Sequence, residues 1–228
     1  MYKYEMHQHT YPCSHCGKAD PEKLVYALKE CGFDGVVLTN HFLHGNTGID
    51  KDLPWAEFVK YYEDDYLTAK KVGDSIGIDV IFGIEEHIGD GREVLLYGIT
   101  PEFMYAHPEM SDGKLETISK AVHEFGGLVF QAHPYRDRDY IPNPKENIAI
   151  EYLDGFETYN AANQGNENVE AEAFAVEHGL MQTAGSDAHH EEMSFRYGIE
   201  CERRIKDSFE LAEILKSGDY KLYLEDIK

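Results

Sequence analysis

The chain has 228 residues, of which 42 % are hydrophobic and 28 % are charged, as in a globular domain large enough to bury a core. Its 43 acidic residues outnumber 21 basic ones, and the formal charge of −22 disfavours binding to nucleic acid or to an anionic membrane surface. Because the sequence has neither a long apolar segment nor an evident signal peptide, we expect one cytoplasmic domain over residues 1–228.

Apolar segments alternate along the chain with amphipathic segments that often end in glycine, a pattern that favours alternating strands and helices. In the first half, strands are predicted at 3–9, 34–39, 78–85 and 94–99, and helices at 20–30 and 55–72, the latter closing at Gly73. The first of these helices begins with an aspartate followed by proline, a typical N-terminal cap.

In the second half, strands are predicted at 128–131, 155–159 and 180–184, and helices at 114–125, 167–178 and 208–217. The segment 136–147 is the longest predicted loop and is a candidate cover for a site. Repeated alternation of strand and helix predicts a parallel sheet, either open or closed into a barrel.

Side chains of the types that bind metal ions lie at the C-terminal ends of several predicted strands. They are His7, His9, His41, Glu85, His133, Asp187 and His189. The carboxyl ends of parallel strands meet at one edge of a sheet, so we expect these side chains to converge. His7 and His9 are two positions apart on an extended chain, which places both imidazoles on the same side. The sequence therefore predicts a metal centre. An all-cysteine zinc site is disfavoured, because Cys31 and Cys201 stand alone.

Four motifs occur in order along the chain. They are His7-Gln8-His9-Thr10 followed by Cys13-Ser14-His15-Cys16-Gly17, then Thr39-Asn40-His41, then Gly83-Ile84-Glu85 with Gln131-Ala132-His133-Pro134, and last Gly185-Ser186-Asp187-Ala188-His189. Together they resemble the PHP (polymerase and histidinol phosphatase) superfamily over nearly the whole chain. The resemblance implies an α/β fold, a distorted (β/α)7 barrel with its metal site at the C-terminal ends of the strands. It also implies two or three divalent metal ions, Zn, Fe or Mn.

The resemblance further implies a ligand set for each ion. His7, His9, Glu85 and Asp187 would hold the first; Glu85 would bridge to a second, which also takes His133; His15, His41 and His189 would hold the third. Two positions depart from the family pattern. Asn40 stands where an acidic residue is usual, and Glu93 stands where a histidine is expected. Glu93 is the candidate ligand at that position; His107 and no ligand at all are the alternatives.

The candidate catalytic residues are Glu85, Asp187, Arg136 and Arg196. The two arginines are candidate phosphate partners, because a guanidinium can bind phosphate through two hydrogen bonds, although surface salt bridges are an equal alternative. Asn160, at the end of a predicted strand, is a candidate for orienting water or a ligand, or else a turn residue.

The predicted function is hydrolysis of a small phosphorylated metabolite by metal-bound hydroxide, in the manner of histidinol phosphatases. A protein-tyrosine phosphatase, an amidohydrolase-type reaction and a non-catalytic metal-binding domain are the alternatives. We expect no nucleic-acid or membrane partner, and the sequence predicts no oligomeric state.

Overall fold

The computed structural model describes residues 1–190 and 195–225. Its strands are β1 (Tyr2–Gln8), β2 (Gly35–Leu38), β3 (Asp79–Phe82), β4 (Ile84–Gly89), β5 (Arg92–Tyr97), β6 (Leu128–Gln131), β7 (Gly155–Asn160), β8 (Met181–Gly185), β9 (Tyr197–Cys201) and β10 (Tyr220–Leu224). Its helices are α1 (Pro21–Glu30), α2 (Trp55–Ile76), α3 (Pro101–Ala106), α4 (Leu115–Phe125), α5 (Glu167–His178) and α6 (Ser208–Ser217). Short 3₁₀ helices cover Pro108–Asp112 and Ile150–Tyr152. No helix in these ranges is long and apolar enough to cross a bilayer.

Local sequence signals account for most helix ends. The side chain of Asp20 accepts a hydrogen bond from the backbone N–H of Glu22, which caps the start of α1 as predicted. The predicted end of α2 at Gly73 is wrong, because the helix continues to Ile76 and ends at Gly77, whose φ of 76° is left-handed. Gly73 instead marks a close approach: a Cβ there would lie 2.7 Å from the carbonyl oxygen of Ile78.

The strands form two mixed five-stranded sheets, in the orders β10-β9-β1-β2-β3 and β4-β5-β6-β7-β8. In the first sheet β1, β2 and β3 are parallel, and β9 and β10 are antiparallel additions. In the second sheet β6, β7 and β8 are parallel, whereas β4–β5 and β5–β6 are antiparallel. The predicted distorted (β/α)7 barrel is therefore wrong: the described residues form two sheets and no closed barrel.

Gly83 is the physical reason for this difference. The segment 78–85, predicted as one strand, is divided at Gly83 into β3 and β4, which belong to different sheets. A Cβ on Gly83 would lie 2.7 Å from Val37 Cγ1, so the chain bends where only glycine fits closely against β2. A tight hairpin then joins β4 to β5 without the crossover helix that a parallel barrel requires.

The two sheets nevertheless share a core. One cluster of buried side chains combines Tyr4 and Met6 of β1 with Tyr97 of β5 and Phe130 of β6. The hydroxyl of Tyr97 donates a hydrogen bond of 3.0 Å to the carbonyl oxygen of Met6, which links the sheets directly. An isolated bridge between His41 and Glu85 adds a second link at the end of β2.

Tyr62 of α2 holds this junction from outside the sheets. Its buried hydroxyl donates to the carbonyl oxygen of Asn40, at 2.6 Å, which also accepts the backbone N–H of Glu85 at 3.0 Å. Its ring packs edge-on against Phe42 and Phe82. The helix therefore positions the backbone on both sides of the His41–Glu85 bridge.

We expect Tyr62→Phe to lower the free energy of unfolding by about 1 kcal/mol, because it removes a buried hydrogen bond while keeping the ring. The neighbouring Tyr61 is 57 % exposed, so Tyr61→Phe is the matched control and should change stability by less than about 0.5 kcal/mol. Urea denaturation of both variants followed by circular dichroism measures the difference. Equal stability of the two variants would contradict the role of the Tyr62 hydroxyl.

Candidate metal centre

Five histidines and three carboxylates converge at one end of the two sheets. They are His7, His9, His41, His133, His189, Glu85, Glu93 and Asp187. The histidines and Asp187 lie on β1 or follow β1, β2, β6 and β8, as expected for the carboxyl ends of parallel strands. The two glutamates come instead from the antiparallel hairpin of β4 and β5.

The carboxylate of Glu85 lies at the middle of this cluster. Its Oε1 atom lies 3.1 Å from Nε2 of both His7 and His133. Its Oε2 atom lies 3.0 Å from Nδ1 of His41 and 3.3 Å from Nε2 of His9. One buried carboxylate therefore faces four imidazoles, which places it to bridge two cations.

Two further carboxylates flank Glu85. Oδ1 of Asp187 lies 3.3 Å from His9 Nε2. Glu93, which is only partly buried, reaches His41 Nδ1 at 3.4 Å and His133 Nε2 at 3.2 Å. The structure thus brings Glu93 to the cluster, in contact with two of its histidines.

Outer hydrogen bonds fix the proton positions of His7 and His9. A carboxylate only accepts, so His7 Nδ1 carries the proton that it donates to Glu157 Oε1 at 2.9 Å. The Ser14 hydroxyl donates its single proton to Asn40 Oδ1 at 2.8 Å and therefore accepts from His9 Nδ1 at 3.0 Å. Both Nε2 lone pairs then point inward, 3.1 Å apart, and they repel unless a proton or a metal cation lies at them.

His189 follows the same pattern. Its Nδ1 atom lies 2.8 Å from the carbonyl oxygen of Asp187, which can only accept, so this nitrogen carries the proton. Nε2 of His189 therefore carries the lone pair with which this side chain can accept a hydrogen bond or bind a metal ion.

The charges of the cluster shift the pKa values of its members. Burial by itself lowers the pKa of His7, but the carboxylates of Glu157, Glu85 and Asp187 raise it well above its ordinary value. Burial raises the pKa of Glu85, but the charges of His7 and His41 hold it well below its ordinary value. Without metal the centre therefore keeps protons on histidines, and a metal ion must displace them to bind.

The residues present fit a metal cluster. Among the described residues, His41 Nδ1 and Glu85 Oε2 are buried polar atoms with no hydrogen-bond partner, although they lie 3.0 Å apart. A shared cation would satisfy both atoms. Three sets of ligand atoms lie within 4.8 Å of one another: His9, His41 and His189; His7, His9 and Glu85; and His41, Glu85 and Glu93. This donor set of imidazole nitrogen and carboxylate oxygen suits Zn, Fe or Mn.

The structure does not bring His15 into these sets. Its side chain is exposed, and its backbone N–H donates to the carbonyl oxygen of Asn46. Cys16 belongs to none of these three sets but lines the same cleft, half-buried, with hydrogen bonds to the side chains of His41 and His189. Burial raises the pKa of the Cys16 thiol, but these hydrogen bonds and the nearby imidazoles lower it overall to about 5.

Asn40 departs from the family pattern but is built into a buried network. Its Oδ1 atom accepts from the backbone N–H of Thr10 at 2.7 Å, and its Nδ2 atom donates to Asp65 Oδ2 at 3.0 Å. Burial raises the pKa of Asp65 to about 6, although hydrogen bonds from Thr10 and Asn40 lower it. An acidic residue at position 40 would place a second carboxyl group against Asp65, so the amide suits this site.

Arg136 and Arg196 occupy different positions. The guanidinium of Arg136 donates to Asp187 Oδ2 at 2.7 Å and to Asn160 Oδ1 at 2.8 Å, and therefore fixes the face of Asp187 that points away from His9. Arg136 lines the cleft above the cluster, whereas Arg196 is not among the described residues that line it. The backbone N–H of Arg196 donates to Ser186 Oγ. Binding of phosphate by either arginine remains a prediction.

Glu157 was not among the predicted site residues. It is fully buried on β7, and besides His7 it accepts the backbone N–H of His133 at 2.9 Å and the side-chain amide of Asn160 at 2.9 Å. The sequence signal was a glutamate within a strand that is otherwise apolar or uncharged. Such a charge inside a buried strand usually has a partner, here the first histidine motif.

Two site residues have unusual backbone conformations. His133 and Asp187 have φ values of 30° and 49°, in the left-handed region that residues other than glycine adopt rarely. Strained backbone of this kind is typical of functional sites, where surrounding contacts hold it in place.

The cluster opens into a cleft with a volume of about 590 Å³. Tyr140 and Arg136 line it, so the loop 136–147 forms one of its walls, in line with the predicted cover. A larger cavity of about 740 Å³ lies beside β9, α6 and β10, but it is lined by none of the candidate ligands. The smaller cleft is therefore the candidate substrate site.

Comparisons with known proteins identify the family and agree with the fold. The sequence profile of a family described as PHP domain matches residues 5–217. A proposed metal-dependent phosphoesterase from Bifidobacterium adolescentis superposes with a TM-score of 0.57 at 17 % identity, over 93 % of this chain and 95 % of its own. A two-domain protein from Bacteroides vulgatus containing a predicted PHP-like phosphoesterase gives 0.69 at 14 % identity, over 98 % of this chain and 65 % of its own.

A third similar structure is the lesion-specific endonuclease PfuEndoQ from Pyrococcus furiosus, with a TM-score of 0.62 and 16 % identity over 97 % of this chain and 57 % of its own. Identities this low concern the fold alone. Since one protein of this fold is an endonuclease, the expectation that nucleic acid is excluded as a partner is not supported. No curated protein sequence matches the chain.

We expect Glu157→Gln to weaken binding of the first metal ion by about 10–100-fold, the usual cost of losing an outer hydrogen-bond partner. Glu157 accepts hydrogen bonds at both oxygens, and a glutamine amide has only one acceptor oxygen, so one donor must face an NH₂ group. Competition with a chelating dye measures the affinity. Glu177→Gln, at an exposed residue of α5, is the matched control, and an equal effect of both substitutions would contradict this assignment.

Proposed function

This chain belongs to the PHP domain family, and from that premise we propose that it is a phosphatase for a small phosphorylated compound. At the level of the family it is a metal-dependent phosphoesterase or hydrolase, as predicted. The proposal of a phosphatase depends mainly on one observation, which is that the carboxylate of Glu85 is buried among four imidazoles. Its Oε2 atom and Nδ1 of His41 lack a hydrogen-bond partner in the part of the chain that the structure describes.

The protein's own groups would act as follows. His7, His9, Glu85 and Asp187 would hold one divalent ion, and Glu85 would share a second with His133 and Glu93. Ions bound there would stabilise the charge of a phosphoryl group and lower the pKa of an attacking water. No side chain is required as nucleophile, which fits a centre whose histidines have one nitrogen committed to hydrogen bonds.

Arg136 has a positioning role in this proposal. Its ion pair with Asp187 and its hydrogen bond to Asn160 keep both side chains in a fixed arrangement at the edge of the cluster. Because its side chain is nine-tenths buried and also donates to Asn163, most of its donors are used within the protein. Direct binding of substrate phosphate by this arginine would require that network to open.

The size and charge of the protein support a compact substrate. A cleft of about 590 Å³ is within the range for small ligands. The formal charge of −22 opposes the approach of an extended polyanion such as nucleic acid. Both points favour a phosphorylated metabolite over a nucleic acid, and the cytoplasm remains its predicted location.

We expect the purified protein to contain two or three divalent ions per chain and to hydrolyse p-nitrophenyl phosphate, with turnover lost on chelation and restored by Zn, Fe or Mn. Elemental analysis and a colorimetric assay measure both. A lesion-containing DNA and an amide substrate, assayed in parallel, should not be cleaved. Cleavage of DNA without turnover of the phosphomonoester would replace the proposed function with an endonuclease, and a protein that binds no metal would refute it.

We expect Asp187→Asn to reduce this turnover by more than about 100-fold, because it removes a negative charge that would face the first metal ion. Loss of this charge should cost more than loss of a hydrogen-bond partner of a ligand, such as Glu157. Asparagine is chosen because it tolerates the positive φ of this position, so the fold should persist. Asp74→Asn, on the exposed side of α2, is the control and should leave turnover unchanged. Unreduced activity in Asp187→Asn, with an unchanged circular dichroism spectrum, would rule out its role as a ligand.

A further inference from the structure

The turn after β1 decides which side chain completes the third set of ligands. This set consists of His9, His41 and His189, and the family pattern implies His15 beside it. In the structure His15 points to solvent. The next residue, Cys16, lines the cleft and shares hydrogen bonds with the side chains of His41 and His189.

Backbone contacts hold the turn in this orientation. The N–H of His15 donates to Asn46, and the N–H of Lys18 donates to the carbonyl oxygen of His189 at 2.7 Å. Gly17 packs so closely that a Cβ there would lie 2.9 Å from the carbonyl of Thr10. The turn is therefore anchored on both sides of Cys16, to the loop that carries His41 and to His189 itself.

The side chain of Ser14 is a second, independent anchor of this turn. Its hydroxyl accepts the backbone N–H of His41 at 2.9 Å and orients His9 through Nδ1. Ser14 is buried beside these histidines, His15 is exposed, and Cys16 is half-buried and lines the cleft. The buried His41 side chain faces Glu85 and Glu93 through Nδ1 and also hydrogen-bonds to Cys16, so Cys16 adjoins the cluster at His41.

We propose that the sulfur of Cys16, rather than His15, is the protein ligand that joins His41 and His189 around the third metal ion. This inference rests on the metal centre of the proposed function. On binding, the thiol releases its proton to solvent and the thiolate donates an electron pair to the ion. A thiolate adds negative charge and is softer than imidazole, so this site should prefer Zn or Fe(II) over Mn.

Cobalt(II) replaces the unidentified metal in the test. The metal-free protein is titrated with CoCl₂ while visible absorption reports cobalt in ordered sites and near-ultraviolet absorption reports thiolate-to-cobalt charge transfer. We expect the wild-type chain to show both the visible absorption bands of bound cobalt and the thiolate-to-cobalt charge-transfer band. Cys16→Ser should lose the charge-transfer band and bind the weakest cobalt ion at least about 10-fold less tightly, while keeping the visible bands of the other ions.

Two controls separate Cys16 from its neighbours. Cys31→Ser removes an exposed cysteine far along the chain and should retain the charge-transfer band, as should His15→Ala. Visible bands without charge transfer in the wild-type protein would overturn the inference, and so would loss of one cobalt ion in His15→Ala but not in Cys16→Ser. A charge-transfer band in a protein without phosphatase activity would support Cys16 and refute only the proposed substrate. A wild-type chain that binds no cobalt would overturn both.

Discussion

The carboxylate of Glu85 is the group on which the rest of the centre depends. A carboxylate this deeply buried is stable only if positive charge or hydrogen-bond donors surround it, and here four imidazoles do so. Glu85 reaches that place because the strand is interrupted at Gly83, where the chain leaves the first sheet and enters the second. As a result β4 lies beyond the carboxyl end of β2, and Glu85 forms a backbone bridge with His41. The same break that prevents a closed barrel therefore puts the central ligand among the histidines.

An outer layer of hydrogen bonds prepares the histidines for metal. Glu157 and Ser14 each accept a hydrogen bond from Nδ1 of one histidine, and Asn40 in turn accepts a hydrogen bond from the Ser14 hydroxyl. Each contact leaves an Nε2 lone pair directed inward, so the orientation is set before any ion binds. The pairing of Asn40 with Asp65 extends this layer to α2, and it explains why an amide at position 40 preserves the centre instead of removing a ligand.

The sequence predicted which side chains come together at one end of the sheets, and it did not predict how the strands pair. Strand-end residues such as His7, His133 and Asp187 converge because alternation of strand and helix requires their strands to run parallel, and local pattern reports that. The pairing of β4 with β5 joins neighbouring segments through a glycine-rich turn. The placement of β3 and β4 in different sheets, however, depends on long-range contacts that no local sequence pattern contains. The choice between His15 and Cys16 is harder still, since one residue of turn geometry decides which side chain faces inward.

In the metal-free protein, protons on the histidines take the place of the metal ions. In the metal-free protein, the raised pKa of His7 and the lowered pKa of Glu85 make them an ion pair, so protons hold the carboxylates together where cations would otherwise do so. The shared core of the two sheets, linked by Tyr97, does not involve these groups. A metal ion that binds at the centre would replace these protons, and the left-handed backbone at His133 and Asp187 places both side chains just past the ends of β6 and β8.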